Sequence, residues 1–286
     1  MIHSIIGTGA FASVYAACMK DTQTKFAVKK FADDYTEEII LNEIRLMKIV
    51  DYHPNIIRFC GVTKFEEEKN YSLILEYANG GTLGKYLRDN AKTFKCKWKS
   101  QLKFAHDIAS AVSCLHDNKI IHRDLHPDNI LIHQGIIKLA DFGCSHLQGS
   151  DFYIKGSRGV IPYMDPKFFE NHSYDLTEKS DIYSLGVLYW ELTSCSSPFN
   201  FETTGDNSIQ VEILKGVREK LISTTNGKFV NLYQKCWQHE PDERPDIYQV
   251  ISELNSITDS NSEESVITKE TDNDENEDHF FDCDIT

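Results

Sequence analysis

Ile121-His122-Arg123-Asp124-Leu125-His126-Pro127-Asp128-Asn129-Ile130-Leu131, followed twelve residues after Asn129 by Asp141-Phe142-Gly143, is the stretch that decides the reading of this 286-residue chain. Asp124 offers a carboxylate for a hydroxyl proton. Asn129 and Asp141 offer oxygen ligands suited to a hard cation such as Mg²⁺. Upstream, Phe26-Ala27-Val28-Lys29 reads as an apolar strand ending in a lysine. Such a lysine can reach a phosphate as a point charge, or it can simply be an exposed strand residue. Glu43 falls in the middle of a helical pattern over 36–50; a solvated position is the ordinary reading, and pairing with Lys29 is the sharper one. Further upstream, Gly7-Thr8-Gly9-Ala10-Phe11-Ala12-Ser13-Val14 places two glycines between strand-like runs. Backbone N–H groups there can approach phosphate oxygens without a Cβ in the way. A plain hairpin turn is the alternative, and no Gly-Lys-Ser/Thr follows to make a P-loop. Phosphoryl transfer needs mainly positioning and charge neutralisation. A base, two metal ligands, a phosphate-binding lysine and a covering loop are therefore a sufficient set.

The rest of the chain is compatible with a large folded unit. Hydrophobic residues make up 41%, charged residues 26% and aromatics 11%, which excludes a wholly disordered, collagen-like or coiled-coil protein. The formal net charge is −14, so binding to nucleic acid or to an anionic membrane is not expected. Residues 256–286 carry eleven acidic side chains and one basic, Lys269. That segment accounts for −10 and leaves −4 for the remainder; its composition predicts an acidic disordered tail. Eight cysteines show no CxxC pair, and a chain of this size needs no disulfides. No signal peptide or membrane-length apolar run is visible, so a cytoplasmic protein is expected. Periodicity predicts strands at 2–6, 13–18, 25–31, 56–64 and 71–77, and a helix at 36–50 with Ile40, Ile44 and Met47 on one stripe. Further helices are expected at 82–89, 98–118, 178–194, 207–219, 228–237 and 246–255. Between them, 119–177 is long and polar, as functional segments often are.

Taken together, GTGAFASV (7–14), FAVK (26–29), Glu43, HRDLHPDN (122–129), DFG (141–143) and SDIYSLGVLYWEL (180–192) occur in the order and spacing of the eukaryotic protein kinases, which the chain resembles over about residues 2–255. Cys236-Trp237-Gln238-His239-Glu240-Pro241-Asp242-Glu243-Arg244-Pro245 matches CWxxxPxxRP, a pattern of the tyrosine kinase and tyrosine kinase-like branches. The resemblance implies an α+β bilobal fold, with a β-rich N-lobe over 1–78, a mainly helical C-lobe over 79–255 and a tail over 256–286. It implies Asp124 as catalytic base, Lys29 on the phosphates paired with Glu43, and Asn129 and Asp141 as Mg²⁺ ligands. ATP would lie under Gly7 and Gly9, sandwiched by Ile6, Val14, Ala27 and Leu131. Leu75 would be the gatekeeper, and the backbone of Glu76 and Ala78 would hold adenine. Met47, Phe59, His122 and Phe142 would stack as an apolar column, and Asp181 would anchor the catalytic loop. Cofactors would be ATP and Mg²⁺ and the partner a protein substrate, with the chain a monomer or transient dimer. Because the resemblance starts almost at Met1, little room is left for the strand before Gly7, as in a minimal kinase or an incomplete gene model.

Several residues depart from the family pattern. Ala12 replaces the third loop glycine, at a cost of order 1 kcal/mol if φ there were positive. His126 stands where serine/threonine kinases carry a lysine near the γ-phosphate, which would make transfer pH-sensitive. Asp165-Pro166-Lys167 replaces Ala-Pro-Glu, so Lys167 would face Arg244 with like charge unless Asp165 or Glu170 substitutes or Lys167 turns to solvent. Val160 fits neither acceptor rule, whereas Pro127 leans toward serine/threonine. Ser145, Ser150, Tyr153 and Ser157 are candidate activating phosphosites beside Arg123. Three activities stay open: an active protein kinase, a nucleotide-binding pseudokinase acting as a scaffold, and a small-molecule phosphotransferase.

Overall fold

The first strands form where β-branched and aromatic residues alternate. β1 (Ile2–Thr8), β2 (Ala12–Cys18) and β3 (Lys25–Phe31) run antiparallel, and β4 (Phe59–Thr63) and β5 (Ser72–Glu76) complete a five-stranded sheet of order β1-β2-β3-β5-β4. The computed structural model describes residues 2–9, 12–19, 24–33, 35–66, 68–152, 159–204 and 208–257. The acidic tail from 258 onward, Ala10, Phe11, Tyr153 and Ser157 lie outside the described residues. β1 runs through Gly7 to Thr8, so its residues 2–6 form the short strand stretch before Gly7. Ala12 opens β2 in register with Phe31, so it needs no left-handed backbone and no strain arises there.

One helix, α1 (Glu37–Val50), packs on this sheet. Its buried face is Ile40, Glu43, Met47 and Val50, with Leu46 beside it. The expected stripe is therefore rotated: Ile44 lies at its edge, and the carboxylate Glu43 occupies an inward turn.

The chain then leaves the sheet through Asn79-Gly80-Gly81. Gly80 N–H donates to Ile132 O at 2.7 Å and Ile132 N–H donates to Gly81 O at 2.9 Å. A Cβ on Gly80 would sit 2.7 Å from Ile132 O, so only glycine permits this approach. Helices α2 (Leu83–Asp89), α3 (Ala91–Phe94) and α4 (Trp98–Asp117) follow. Next come the short pairs β6 (Ile120–Ile121) with β9 (His146–Leu147), and β7 (Ile130–His133) with β8 (Ile136–Leu139). These strands resolve the polar stretch 119–177, which ends in α5 (Pro166–Glu170).

The mainly helical region is organised around α6 (Glu178–Ser194), which is buried at 15 of its 17 positions and so is a core element rather than a surface helix. Its Gly186 lies against α9 (Gly227–Cys236): a Cβ there would come within 2.8 Å of Trp237 N. Helices α7 (Phe201–Thr204), α8 (Ile209–Leu214) and α10 (Ile247–Ser256) complete the region. The expected helix over 207–219 is shorter because Gly216 turns left-handed at φ 84°. Ile257 is still buried, so packing continues two residues past the expected boundary at 255. The sheet and the helical region together make the expected bilobal α+β fold. They are stitched by Ile57 N–H to Leu139 O at 2.9 Å and Leu139 N–H to Asn55 O at 2.7 Å. Among the described residues no helix is long and apolar enough to cross a membrane.

Candidate active site

The site forms where β3 and α1 meet the loops around β6–β8. Strand alternation turns Lys29 inward from β3, where it is only 5% exposed. Its Nζ lies 2.7 Å from Glu43 Oε1 and 2.9 Å from Asp141 Oδ1. Burial alone would lower the lysine pKa, but Asp141 and Glu43 outweigh it and drive it up, so Lys29 is a fixed cation. Glu43 is 1% exposed and its pKa is raised by burial, with Lys29 opposing. Desolvation would also raise Asp141; the neighbouring lysine reverses this and holds its carboxyl below the usual range. The Asp141 side chain remains 45% exposed toward the cleft. Its backbone is left-handed, φ 63°, a strained conformation for a non-glycine residue and of the kind that clusters at functional sites.

The second half of the site is the loop between β6 and β7. Asn129 donates from Nδ2 to Asp124 O at 2.9 Å and to Asp124 Oδ2 at 3.1 Å, which fixes that carboxylate and leaves the Asn129 amide oxygen as an acceptor. Ala140 N–H donates to Asn129 O at 2.8 Å, tying the Asp124 loop to the segment entering Asp141. From below, Asp181 on α6 accepts from Arg123 N–H on Oδ1 and from His122 N–H on Oδ2, both at 2.9 Å. It also accepts from His116 Nε2 at 2.9 Å. Arg123 is left-handed at φ 70°, and Asp181 satisfies the N–H groups that this turn points inward.

Above, Gly9 N–H closes the loop onto Ala12 O at 2.8 Å, and Gly7 pairs with Val14. Ala27 and Leu75 are cross-strand neighbours and both buried, while Val14, Ala78 and Leu131 pack against the same core. Ile6 stays 46% exposed at the mouth. Glu76 turns its carboxylate away, to Lys138 Nζ on β8 at 3.0 Å. In the apolar column Met47, His122 and Phe142 are almost completely buried, and the His122 and Phe142 rings meet edge-on at 5.5 Å; Phe59 is half-buried.

The departures resolve locally. Arg244 is fully buried and every guanidinium N–H is used. Asp165 takes a two-pronged pair at 2.8 and 2.9 Å, and the carbonyls of Gln238, Lys179 and His239 take the rest. Asp165 also accepts from Ser180 Oγ and caps α5 through Lys167 N–H. Lys167, two positions on, points outward to Glu170 at 2.6 Å and Glu240 at 3.1 Å. Like charges therefore do not meet: the acid has moved from position 167 to 165. His126 Nε2 lies 3.5 Å from Asp124 Oδ2. Burial pulls its pKa down, and hydrogen bonding and charge from Asp124 reverse that into a net rise. Ser145 is buried and donates to His122 O at 3.2 Å, which removes it as an accessible phosphosite.

Two features escaped the sequence. Tyr35, from the turn before α1, stacks on Phe31 at 5.2 Å and brings its hydroxyl 3.4 Å from Gly143 O. Tyr163 Oη donates at 2.6 Å to Glu191 on α6, which also pairs with Arg88; burial, against Arg88, pushes Glu191 up to about 7. Both link residues far apart in the chain through ordinary-looking aromatic positions, so no local pattern announces them.

The comparisons agree with this geometry. Residues 1–254 match the sequence model of the family described as protein tyrosine and serine/threonine kinase. Serine/threonine-protein kinase STY46 of Arabidopsis thaliana is 28% identical over 262 residues, covering 91% of this chain and 44% of that protein. Serine/threonine-protein kinase STY17 of the same plant is 31% identical over 75% of this chain and 36% of its own length. Serine/threonine/tyrosine-protein kinase HT1, also from Arabidopsis thaliana, is 31% identical over 76% of this chain and 54% of its own length. The chain thus spans about a third to a half of these curated relatives. Members of the family use ATP and Mg²⁺ and act on protein substrates. With that match over residues 1–254, the chain belongs to the eukaryotic protein kinases, on their tyrosine kinase-like branch.

Proposed function

We propose that this chain is an active ATP- and Mg²⁺-dependent protein kinase that transfers the γ-phosphoryl group to a protein hydroxyl, serine or threonine in preference to tyrosine. The observation that carries this reading is the Lys29 bridge to both Glu43 and Asp141 within 2.9 Å, facing an Asp124 carboxylate held by Asn129. Asp124 orients the acceptor hydroxyl and takes its proton. Lys29 holds the α/β-phosphates and Glu43 holds Lys29. Asn129 and Asp141 present oxygen donors only, which fits a hard cation. Mg²⁺ bound there would neutralise phosphate charge. Gly7 and Gly9 cover the phosphates, Ile6, Val14, Ala27, Leu75 and Leu131 enclose adenine, and the backbone of Glu76 and Ala78 reads its edge. The catalytic unit is the bilobal region to about 257, working as a monomer or transient dimer. A cytoplasmic location fits the seven described cysteines, all free thiols.

Transfer to a mixed peptide library, with a phosphoamino-acid readout, tests the reading. Wild type is expected to label serine and threonine. Asp124→Asn is expected to lose about 10²–10⁴-fold in turnover while still binding nucleotide. Wild-type protein that binds nucleotide and labels nothing would instead be a pseudokinase.

A further inference from the structure

The acidity of the chain has a counterpart on its surface. Residues 91–103 contain five lysines and no acidic residue. Lys92, Lys95, Lys97, Lys99 and Lys103 are all exposed there, on α3, the turn after it and the first turns of α4. Lys228 adds a sixth from α9, next to Phe229, whose ring meets Trp98 edge-on at 5.3 Å. Among the described residues Lys103 pairs with Asp107, while no ion pair is formed by Lys92, Lys95, Lys97 or Lys228. So dense a cluster of like charge on one corner is self-repulsive in isolation.

The helix that the acidic segment follows in sequence, α10, packs near this corner. α10 packs on α4 and α9, and the Leu254 backbone lies against His106 on α4. Lys99, Lys103 and His106 are spaced i, i+4, i+7 and so share one stripe of α4. Lys99 is seven residues from His106, about 10 Å along the helix axis. Residues 258–286 continue directly from Ile257 with eleven acids and one lysine. Twenty-nine residues reach about 30 Å as a flexible chain and far more when extended. Both the charge and the geometry are therefore matched within one molecule.

We propose that the acidic segment 258–286 docks in cis on the lysine corner formed by α3, the start of α4 and Lys228. The contact is electrostatic, leaves the catalytic cleft open and covers the surface around Trp98. Hydroxyls set among the acids, such as Ser262, Ser265 and Thr268, give it a means of adjustment, since each phosphate would add close to two negative charges. The proposal is independent of the catalytic reading.

Carbodiimide cross-linking of the full chain, which joins lysines to contacting carboxylates, read by mass spectrometry, tests it without using activity. At low salt, links from Asp272–Asp278 are expected to concentrate on Lys92, Lys95 and Lys97 over Lys64, Lys69, Lys215 and Lys220. They should stay within one molecule on dilution and disappear in molar salt. The triple variant K92E/K95E/K97E, at exposed positions, is expected to lose the links from Asp272–Asp278 to the remaining corner lysines Lys99, Lys103 and Lys228 while melting like wild type, and unchanged links to those three would overturn the proposal; should it melt early, the salt series on wild type decides alone. Links spread evenly over all lysines, links that survive molar salt, or links only between two chains would each overturn the proposal.

Discussion

The two lobes hold their halves of the site by different means. In the sheet lobe, Lys29 and Glu43 are joined across β3 and α1 by a single ion pair, and α1 buries six of its fourteen residues. In the helical lobe, Asp181 holds the loop that carries Asp124 from a helix buried at 15 of 17 positions, and Arg244 and Asp165 form a closed knot with backbone partners. An ion pair between two elements can open by moving one element. A carboxylate holding three hydrogen bonds from inside a core helix cannot move without unfolding its surroundings. The sheet-lobe half is thus the adjustable one, and the helical-lobe half is the fixed frame.

The comparison breaks first at the knot. Asp165→Ala strands a fully buried guanidinium, and chemical denaturation is expected to show a loss of about 3–5 kcal/mol in unfolding free energy. In the sheet lobe, Glu43→Gln keeps the shape and leaves Lys29 with Asp141. Steady-state kinetics should show kcat/KM falling by about tenfold or more, a transition-state loss of about 1.4 kcal/mol, with the denaturation midpoint nearly unchanged. An equal loss of stability in both variants would erase the distinction between frame and adjustable half.

On the cleft side of the helical lobe, His126 faces the carboxylates of Asp124, Asp128 and Asp141, and the Tyr163 ring lies 6.3 Å away. Because its folded pKa is raised, its stabilising contribution is fully present below the ordinary histidine value and is lost as pH rises through the folded pKa. Melting curves should therefore show His126→Gln less stable than wild type in mild acid and equal to it at alkaline pH. A pH-independent difference would mean that packing, not charge, holds His126. The smallest effect is expected at Lys167→Ala: its pairs with Glu170 and Glu240 lie at the surface, and denaturation should register less than about 1 kcal/mol.

Much of this site was legible in the chain because its chemistry is carried by short, local strings. HRDLHPDN and DFG set Asp124, Asn129 and Asp141 on two neighbouring turns, and strand alternation turns Lys29 inward. Helix boundaries at 83–89, 98–117 and 178–194 follow the 3.6-residue pattern to within a residue. Where an element departs from its pattern, a competing interaction explains it. The α1 stripe rotated because pairing with Lys29 makes burial of Glu43 tolerable, and α8 shortened because Gly216 takes a left-handed turn.

By itself, then, the sequence determined which groups are available, in what order, and which elements carry them, since propensity, periodicity and turn chemistry act over a few residues. The tertiary structure alone decided which of those groups meet. That Arg244 closes on Asp165 across 79 residues, that Lys167 turns to the surface, that Tyr35 reaches Gly143 and that His116 backs Asp181 are outcomes of packing between distant elements. A single sequence encodes such contacts only through the whole fold, because their energy comes from burial and neighbouring charge rather than from any local spacing.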